Sequence, residues 1–192
     1  CTAAIVALAE QFGVTAVLCT ATQPALNDLL QRFAPSCPVS EICSNVPFYF
    51  EKFRRVTFRQ IGTVEGTELT GILSEHEQIL CIVNSRKAAQ SIFSKLPKEG
   101  SFHLSTLMVP EHRRAVLTEI RRRLSEGLPC RVVSTSLIEA GVDVDFPALY
   151  REMAGLDSIM QAAGRCNREG RRNADNSFVT IFRRTEPAPP LF

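Results

Sequence analysis

From Phe53 onward the chain alternates short runs rich in apolar and β-branched residues with longer stretches in which apolar residues recur every three or four positions. The runs predict strands at 54–61, 78–83, 102–106, 131–135, 148–152 and 177–182, and the stretches predict helices near 65–76, 85–96, 110–126 and 156–163. Strand and helix in alternation imply an α/β domain, a parallel sheet flanked by helices, because a parallel pair needs a crossover long enough to hold a helix. The best-marked helix opens at Pro110, sets Val116, Leu117, Ile120 and Leu124 on one face and stops at Gly127.

Before Phe53 the pattern changes. Residues 1–12 have the alanine-rich composition of a packed helix closed by Gly13, and residues 14–18 predict a short buried strand. A loop bearing Thr20, Ala21 and Thr22 then leads into a helix from Gln23 to about Phe33. Residues 35–52 sustain neither period; they carry Pro35, Pro38 and Pro47, then Phe48, Tyr49 and Phe50. The organisation this implies is a helix–strand–helix piece at 1–34, a linker at 35–52, an α/β domain at 53–184 and a loose proline-rich tail at 185–192. The linker aromatics either anchor it by packing or stack on bases. The chain opens at Cys1 inside an apolar run, as a piece of a longer protein would.

Composition narrows the class without naming a function. With 192 residues, 45% hydrophobic and 22% charged, the chain is a globular protein long enough for one α/β domain and part of another. No apolar stretch reaches the roughly 18 residues of a spanning helix, and no basic-then-apolar leader opens the chain, so a cytoplasmic protein without a membrane partner is expected. The seven cysteines are odd in number and form no CxxC pair; Cys19, Cys81 and Cys130 lie in or beside apolar runs. They point to reduced, mostly buried thiols and to no metal site. Net charge is only +2, but arginines gather at Arg113, Arg114, Arg121, Arg122 and Arg123 and again at Arg165, Arg168, Arg171 and Arg172. Each group is either a solvated face or a local anion-binding face.

In an open parallel sheet, ligands gather at the carboxyl ends of the strands, where crossover helices begin and present unpaired N–H groups. Asn84 and Ser85 follow the run ILCIV, Thr106 follows FHLS, and Thr135 and Ser136 follow RVVS. Short donors at the heads of three adjacent strands suit a sugar-phosphate backbone held without base identity; the same residue types suit helix capping, and one hydroxyl can do both. A second cluster, Gly141, Asp143, Gln161, Arg165 and Arg168, combines an acid with two arginines three residues apart. That set suits the ribose and terminal phosphate of a nucleotide, or a structural ion pair between Asp143 and an arginine. Nothing in the chain matches GxxxxGKS/T, and no DExH-type acidic strand is present, so the cluster can complete an ATP site but not constitute one.

STSLIEAGVDVDFP followed by QAAGRCNREG resembles motifs V and VI of superfamily 2 helicases. NSRKAAQ after a buried strand and YRE soon after motif V extend the likeness, and the triplet Thr20, Ala21, Thr22 is similar to motif III. The asparagine of GRCNR and the phrase IEAGVDVDFP are more similar to the CRISPR-associated helicase-nuclease of type I interference than to RNA helicases.

That resemblance implies two RecA-like lobes, with 1–34 ending the first, 35–52 as the interlobe linker and 53–184 forming most of the second. It implies an ATP-driven translocase on single-stranded DNA, moving 3′ to 5′, coupled to an HD-type nuclease and recruited by the Cascade surveillance complex. The P-loop, the acid motif with the main Mg²⁺ ligands and the nuclease would all precede Cys1. Thr20 and Thr22 would couple the lobes; Asn84, Ser85, Thr106, Thr135 and Ser136 would contact the DNA backbone; Gly141 and Asp143 would lie near ribose and magnesium. Gln161, Arg165 and Arg168 match the motif VI positions that approach the γ-phosphate. One departure is plain: where many relatives have His-Ser-Arg after the third strand, this chain has Ser105, Thr106 and Leu107. A nucleic-acid-binding lobe without turnover, and a lobe of a non-CRISPR superfamily 2 helicase, are the alternatives of a different kind.

Overall fold

A computed structural model of the chain describes residues 2–19, 28, 32–33, 39–139 and 141–185. The chain divides into two compact units, Cys1–Phe53 and Arg54–Phe192.

In the first unit, helix α1 (Thr2–Phe12) is free of Gly and Pro and is followed by Gly13 at φ 64. Residues 14–18, expected as a buried strand, form no regular structure, and Val14, Val17 and Leu18 are exposed. An apolar run becomes a strand only where a neighbour takes up its N–H and C=O groups, and among the described residues no strand does. Cys19, expected to be buried, is exposed for the same reason. Thr20, Thr22 and most of the helix expected at 23–33 lie outside the described residues. The stretch in which no helix was expected carries a short one, α2 (Val46–Lys52), with Asn45 as its cap, accepting from the Phe48 N–H at 3.2 Å, and a proline in its first turn. Two turns are too few to show a period in sequence. Tyr49 stacks on Phe53 with ring centroids 6.2 Å apart, while Phe48, Tyr49, Phe50 and Phe53 all remain exposed.

The second unit is a six-stranded sheet, every pairing parallel. Its elements are β1 (Thr57–Val64), α3 (Gly66–Glu75), β2 (Gln78–Ile82), α4 (Arg86–Phe93), β3 (Ser101–Leu104), α5 (Pro110–Glu126), β4 (Cys130–Ser134), β5 (Ala148–Glu152), α6 (Leu156–Ala163) and β6 (Phe178–Arg184). The spatial order is β1-β6-β5-β2-β4-β3. Alternate residues of the central strands feed two cores, as the two-residue period of a strand requires. Leu80, Ile82, Val132 and Leu149 pack with Ile120 of α5 and Ala162 of α6. Ile79, Cys81, Val83 and Val133 pack with Leu69 and Leu73 of α3 and with Ala88, Ala89 and Ile92 of α4. Helices thus cover both faces, which is why the central strands are continuous apolar runs.

Strands β2, β4 and β5 fall where the pattern predicts, within a residue at each end. The first strand is displaced by three residues, to 57–64, because β1 is an edge strand, exposed along most of its length, and pairing sets its register. Thr57 lies opposite Phe178 and its N–H donates to the Ser177 carbonyl at 2.8 Å. Helix α5 has Pro110 in its first turn and ends at Gly127, φ 70, whose αL conformation closes the last turn. Cys81, Cys130 and Cys166 are buried, and burial pushes the Cys130 and Cys166 thiols up to about 12.

Gly100 supplies a test of how tightly the β3–β4 edge is built. It sits at φ +72, a Cβ there would lie 2.4 Å from the Pro129 carbonyl oxygen, and its own carbonyl accepts from the Arg131 N–H at 2.7 Å. Gly100→Ala should cost about 2–5 kcal/mol, strain and backbone overlap together. Gly127→Ala, at φ +70 with open space around it, should cost only about 1 kcal/mol. Urea unfolding of the two variants in parallel measures the difference; equal losses would mean that the Pro129 contact relaxes freely.

Candidate functional site

The order β2-β4-β3 places the heads of three adjacent strands side by side, and the short polar residues stand on those heads. Ser85 caps α4, its hydroxyl accepting from the Ala88 N–H at 3.1 Å, so the capping role is filled. Thr106 is exposed in the turn between β3 and α5. Thr135 is buried and caps no N–H with its side chain, while Ser136 beside it is exposed. Asn84 is held more firmly than a free phosphate ligand. Its N–H donates to Glu152 Oε2 at 2.7 Å, its Nδ2 donates to the Met153 carbonyl at 2.8 Å, and its Oδ1 accepts from Arg151 Nη1 at 2.7 Å. One N–H of its amide is left to face outward.

The second cluster assembles where α6 returns toward the sheet. Phe146 forms a parallel bridge with Cys166, and the Cys166 thiol contacts the carbonyls of Pro147 and Phe178, so the arginine loop is seated at the starts of β5 and β6. Asn84 is bonded to Met153, just before α6, and the arginine loop follows the last turn of that helix, which is about 12 Å long at 1.5 Å per residue. Arg168 Nε meets Asp143 Oδ1 at 2.9 Å, with side chains 42% and 79% exposed, so solvent screens the pair and each partner is open to exchange. Arg121 Nε donates to the Asp143 carbonyl at 2.9 Å, and Gly141 turns the chain at φ 70. Gln161 is exposed on α6.

Arg165 departs from what its motif position suggests. It is buried, with Nε donating to the Ile138 carbonyl at 3.0 Å and Nη2 to the Glu139 carbonyl at 2.6 Å. Burial lowers its pKa and Arg168 adds to the shift. It is a brace across the motif V turn, whereas Arg168 is the arginine that reaches solvent.

The loop itself hangs on Asn167, which is fully buried at φ 45, a conformation asparagine tolerates. Its Nδ2 donates to the carbonyls of Arg55 at 2.7 Å and Arg172 at 2.8 Å, and its Oδ1 accepts from the Arg172 N–H at 3.0 Å. Asp145 accepts from the Arg168 N–H at 2.7 Å and pairs with Arg172 at 3.1 Å.

Three residues outside the sequence-derived set complete the picture. Glu139 and Arg151 form a buried ion pair, Oε1 to Nε at 3.0 Å, with side chains 5% and 3% exposed, and Glu152 accepts from Asn84. Burial raises the Glu139 pKa, with Arg151 and a hydrogen bond from Ser158 opposing it, and burial lowers that of Arg151. Two successive charges at the end of an otherwise apolar strand are the signal that could have found this network.

As a donor set, these residues fit part of a nucleotide: a cation in exchange with a carboxylate suits a phosphate. Among the described residues no group of acidic, histidine or cysteine side chains could hold a metal ion.

Residues 75–171, just over half of the chain, match the family model described as CRISPR-associated nuclease/helicase Cas3, C-terminal. The CRISPR-associated nuclease/helicase Cas3 of Haloferax volcanii is 41% identical over 75 residues, 38% of this chain and 8% of the relative. That of Methanothermobacter thermautotrophicus is 28% identical over 111 residues, 56% of this chain and 13% of the relative. The ATP-dependent helicase Lhr-Core of the same organism is 24% identical over 138 residues, 70% of this chain and 15% of the relative. The chain thus spans well under a fifth of the length of these relatives. Among solved structures, T. fusca Cas3 with ADP superposes with a TM-score of 0.55 at 16% identity, over 82% of this chain and 20% of that one. S. cerevisiae Dbp5 bound to RNA and ADP BeF3 does so at 0.57 and 16%, over 87% and 44%. The shared fold is a RecA-like helicase lobe.

Asn167→Ala would leave two partly buried carbonyls and a backbone N–H without their side-chain partner and force alanine into a left-handed conformation. It should cost about 2–4 kcal/mol in chemical denaturation. Arg171→Ala, which removes only an exposed pair with Glu169, should stay within about 0.5 kcal/mol.

Proposed function

The chain belongs to the family of the CRISPR-associated nuclease/helicase Cas3, C-terminal, and from that premise we propose that it is the second RecA-like lobe of an ATP-driven motor on single-stranded DNA. In this reading residues 1–34 close the first lobe, 35–52 link the lobes and 53–184 form the second. Most support comes from the order β2-β4-β3, which sets short donors in one row along the heads of three strands. Such a row favours backbone contact, which follows a strand without reading its sequence.

Ser85, Thr106, Thr135 and Ser136, with the outward N–H of Asn84, hold successive phosphates. At the far end of α6, Arg168 leaves Asp143 for the terminal phosphate of ATP, while Asp143, Gly141 and Gln161 border the ribose and phosphates. Arg165 supports the turn from behind and keeps Arg168 in range. ATP supplies the free energy of the step, and the Mg²⁺ that accompanies it takes its main ligands from the first lobe. Thr20 and Thr22 transmit between the lobes. The intact protein then unwinds target DNA for degradation in type I CRISPR interference, with the Cascade complex as the partner that delivers it, in the cytoplasm. A lobe of a non-CRISPR superfamily 2 helicase is the second reading, favoured by the likeness to Lhr-Core over more of this chain than either Cas3 relative matches.

In a protein carrying both lobes, Arg168→Ala should lower DNA-stimulated ATP hydrolysis by about 10³- to 10⁵-fold, a barrier increase of about 4–7 kcal/mol, while ATP still binds within about tenfold. Arg168→Lys should rescue little, since a point charge does not reproduce the planar fork. Arg165→Ala should lose turnover and also unfold at lower denaturant, because it strands the carbonyls of Ile138 and Glu139. Steady-state hydrolysis beside equilibrium nucleotide binding decides this; near-normal turnover in both alanine variants would reduce the cluster to a structural ion pair.

Thr106→Ala and Thr135→Ala should each weaken single-stranded DNA binding by a similar factor on oligonucleotides of any sequence, read by fluorescence anisotropy with unfolding followed in parallel. A loss confined to one sequence, at unchanged stability, would contradict backbone tracking.

A further inference from the structure

Asn84 and Arg168 of the two proposed contact faces lie beyond opposite ends of α6, and a chain of buried and partly buried polar contacts runs between Asn84 and Arg165. Its centre is Arg151 at the end of β5, next to β2. These two strands mark the place where connections leave the sheet in opposite directions: β2 leads through α4 to β3, and β5 leads through α6 to β6. In open α/β sheets such a divergence leaves a crevice that takes a ligand. In this lobe protein side chains fill it. Arg151 Nη1 donates to Asn84 Oδ1 at 2.7 Å and to the Glu152 carbonyl at 2.8 Å, while its Nε faces Glu139 Oε1 at 3.0 Å. Glu139 in turn offers its backbone carbonyl to Arg165 Nη2 at 2.6 Å.

We propose that Arg151 is a positioning residue that couples the two faces, orienting Asn84 at the nucleic-acid rim and, through Glu139, the turn that carries Arg165. The inference rests on the motor reading above and names the residue through which its two ends communicate.

Three observations support it. First, stability alone does not call for this pair, since well-packed apolar residues of similar volume hold a core as well as a buried ion pair does. What an apolar residue cannot supply is a rigid fork with one arm on the head of β2 and another on the turn after β4. Second, the Nε–Oε1 contact is close but off the line of a good hydrogen bond, and neither atom has another partner. The pair therefore leaves hydrogen-bonding capacity unused on both atoms. Third, Asn84 helps to hold the guanidinium off the line to Glu139, because its Oδ1 shares Nη1 with the Glu152 carbonyl. Rotation of the Asn84 amide toward a phosphate removes one of the two acceptors that hold Nη1, the fork shifts toward Glu139 about its remaining bond to the Glu152 carbonyl, and the carbonyls that brace Arg165 shift with it. That gives one element two discrete packings, biased from either end, as coupling between sites requires.

The test uses a protein carrying both lobes and measures Kd for a non-hydrolysable ATP analogue with and without saturating single-stranded DNA. The wild-type ratio is expected to lie in the range of about 5- to 150-fold usual for coupled sites. Arg151→Lys keeps a charge against Glu139 but loses the fork. The double variant Glu139→Gln, Arg151→Met removes both charges without stranding either, so the test does not hang on Arg151→Lys alone. In each, the ratio should fall to within about twofold of unity, while the separate affinities for DNA alone and nucleotide alone change less than about threefold. A folded variant that keeps the wild-type ratio overturns the proposal alone. So does one that loses both separate affinities in proportion, since that marks a merely structural residue. A wild-type ratio of one overturns the motor reading and the proposal with it.

Discussion

Taking a carboxylate or a guanidinium out of water costs several kcal/mol even after the protein relaxes. This lobe meets that cost where Glu139 and Arg151 are almost wholly enclosed. The geometry around them follows from it. Each group has to be met by partners on several elements at once, so Asn84 on the head of β2, Glu152 at the end of β5 and Ser158 on α6 all turn inward. Removing any one of them leaves a charge or a dipole stranded, and the ends of β2 and β5 are fixed relative to the turn after β4.

The arginines divide by the same rule. On α5, Arg122 and Arg123 are both bonded to Glu119, whose carboxyl their hydrogen bonds hold down near 2, so this part of the basic run is a solvated, internally neutralised face. Arg121 turns the other way, to the Asp143 carbonyl. In the loop after α6, Arg165 is buried on two carbonyls and Arg172 is tied to Asp145, while Arg168 and Arg171 sit on solvent-screened carboxylates and can change partners, Arg168 being the one paired with the motif residue Asp143. Clusters that look alike as strings of arginine are separated by what lies beside each one in space.

The sequence by itself determined the architecture of residues 54–185. Its apolar runs and amphipathic stretches specify a parallel, helix-covered sheet, because burial on both faces leaves a signature in every central strand, and residues such as Pro110 and Gly127 punctuate local geometry. That Ser85, Thr106 and Thr135 stand on strand heads was legible for a similar reason, since a position just past a strand is local in the chain. Where support must come from a neighbour, pattern failed. Residues 14–18 are apolar yet form no strand, α2 is too short to show a period, and edge strand β1 takes its register from β6.

Only the tertiary structure decided which polar residues serve the fold and which remain open to a ligand. Asn84 and Arg165 have the residue type and spacing of ligand contacts, yet their side chains are held by groups distant in sequence: Arg151, 67 positions from Asn84, and Glu139, 26 from Arg165. Desolvation and hydrogen-bond satisfaction are properties of the packed neighbourhood, and a linear chain carries them only as an unexplained pair of charges, Arg151 and Glu152, at the end of a buried strand.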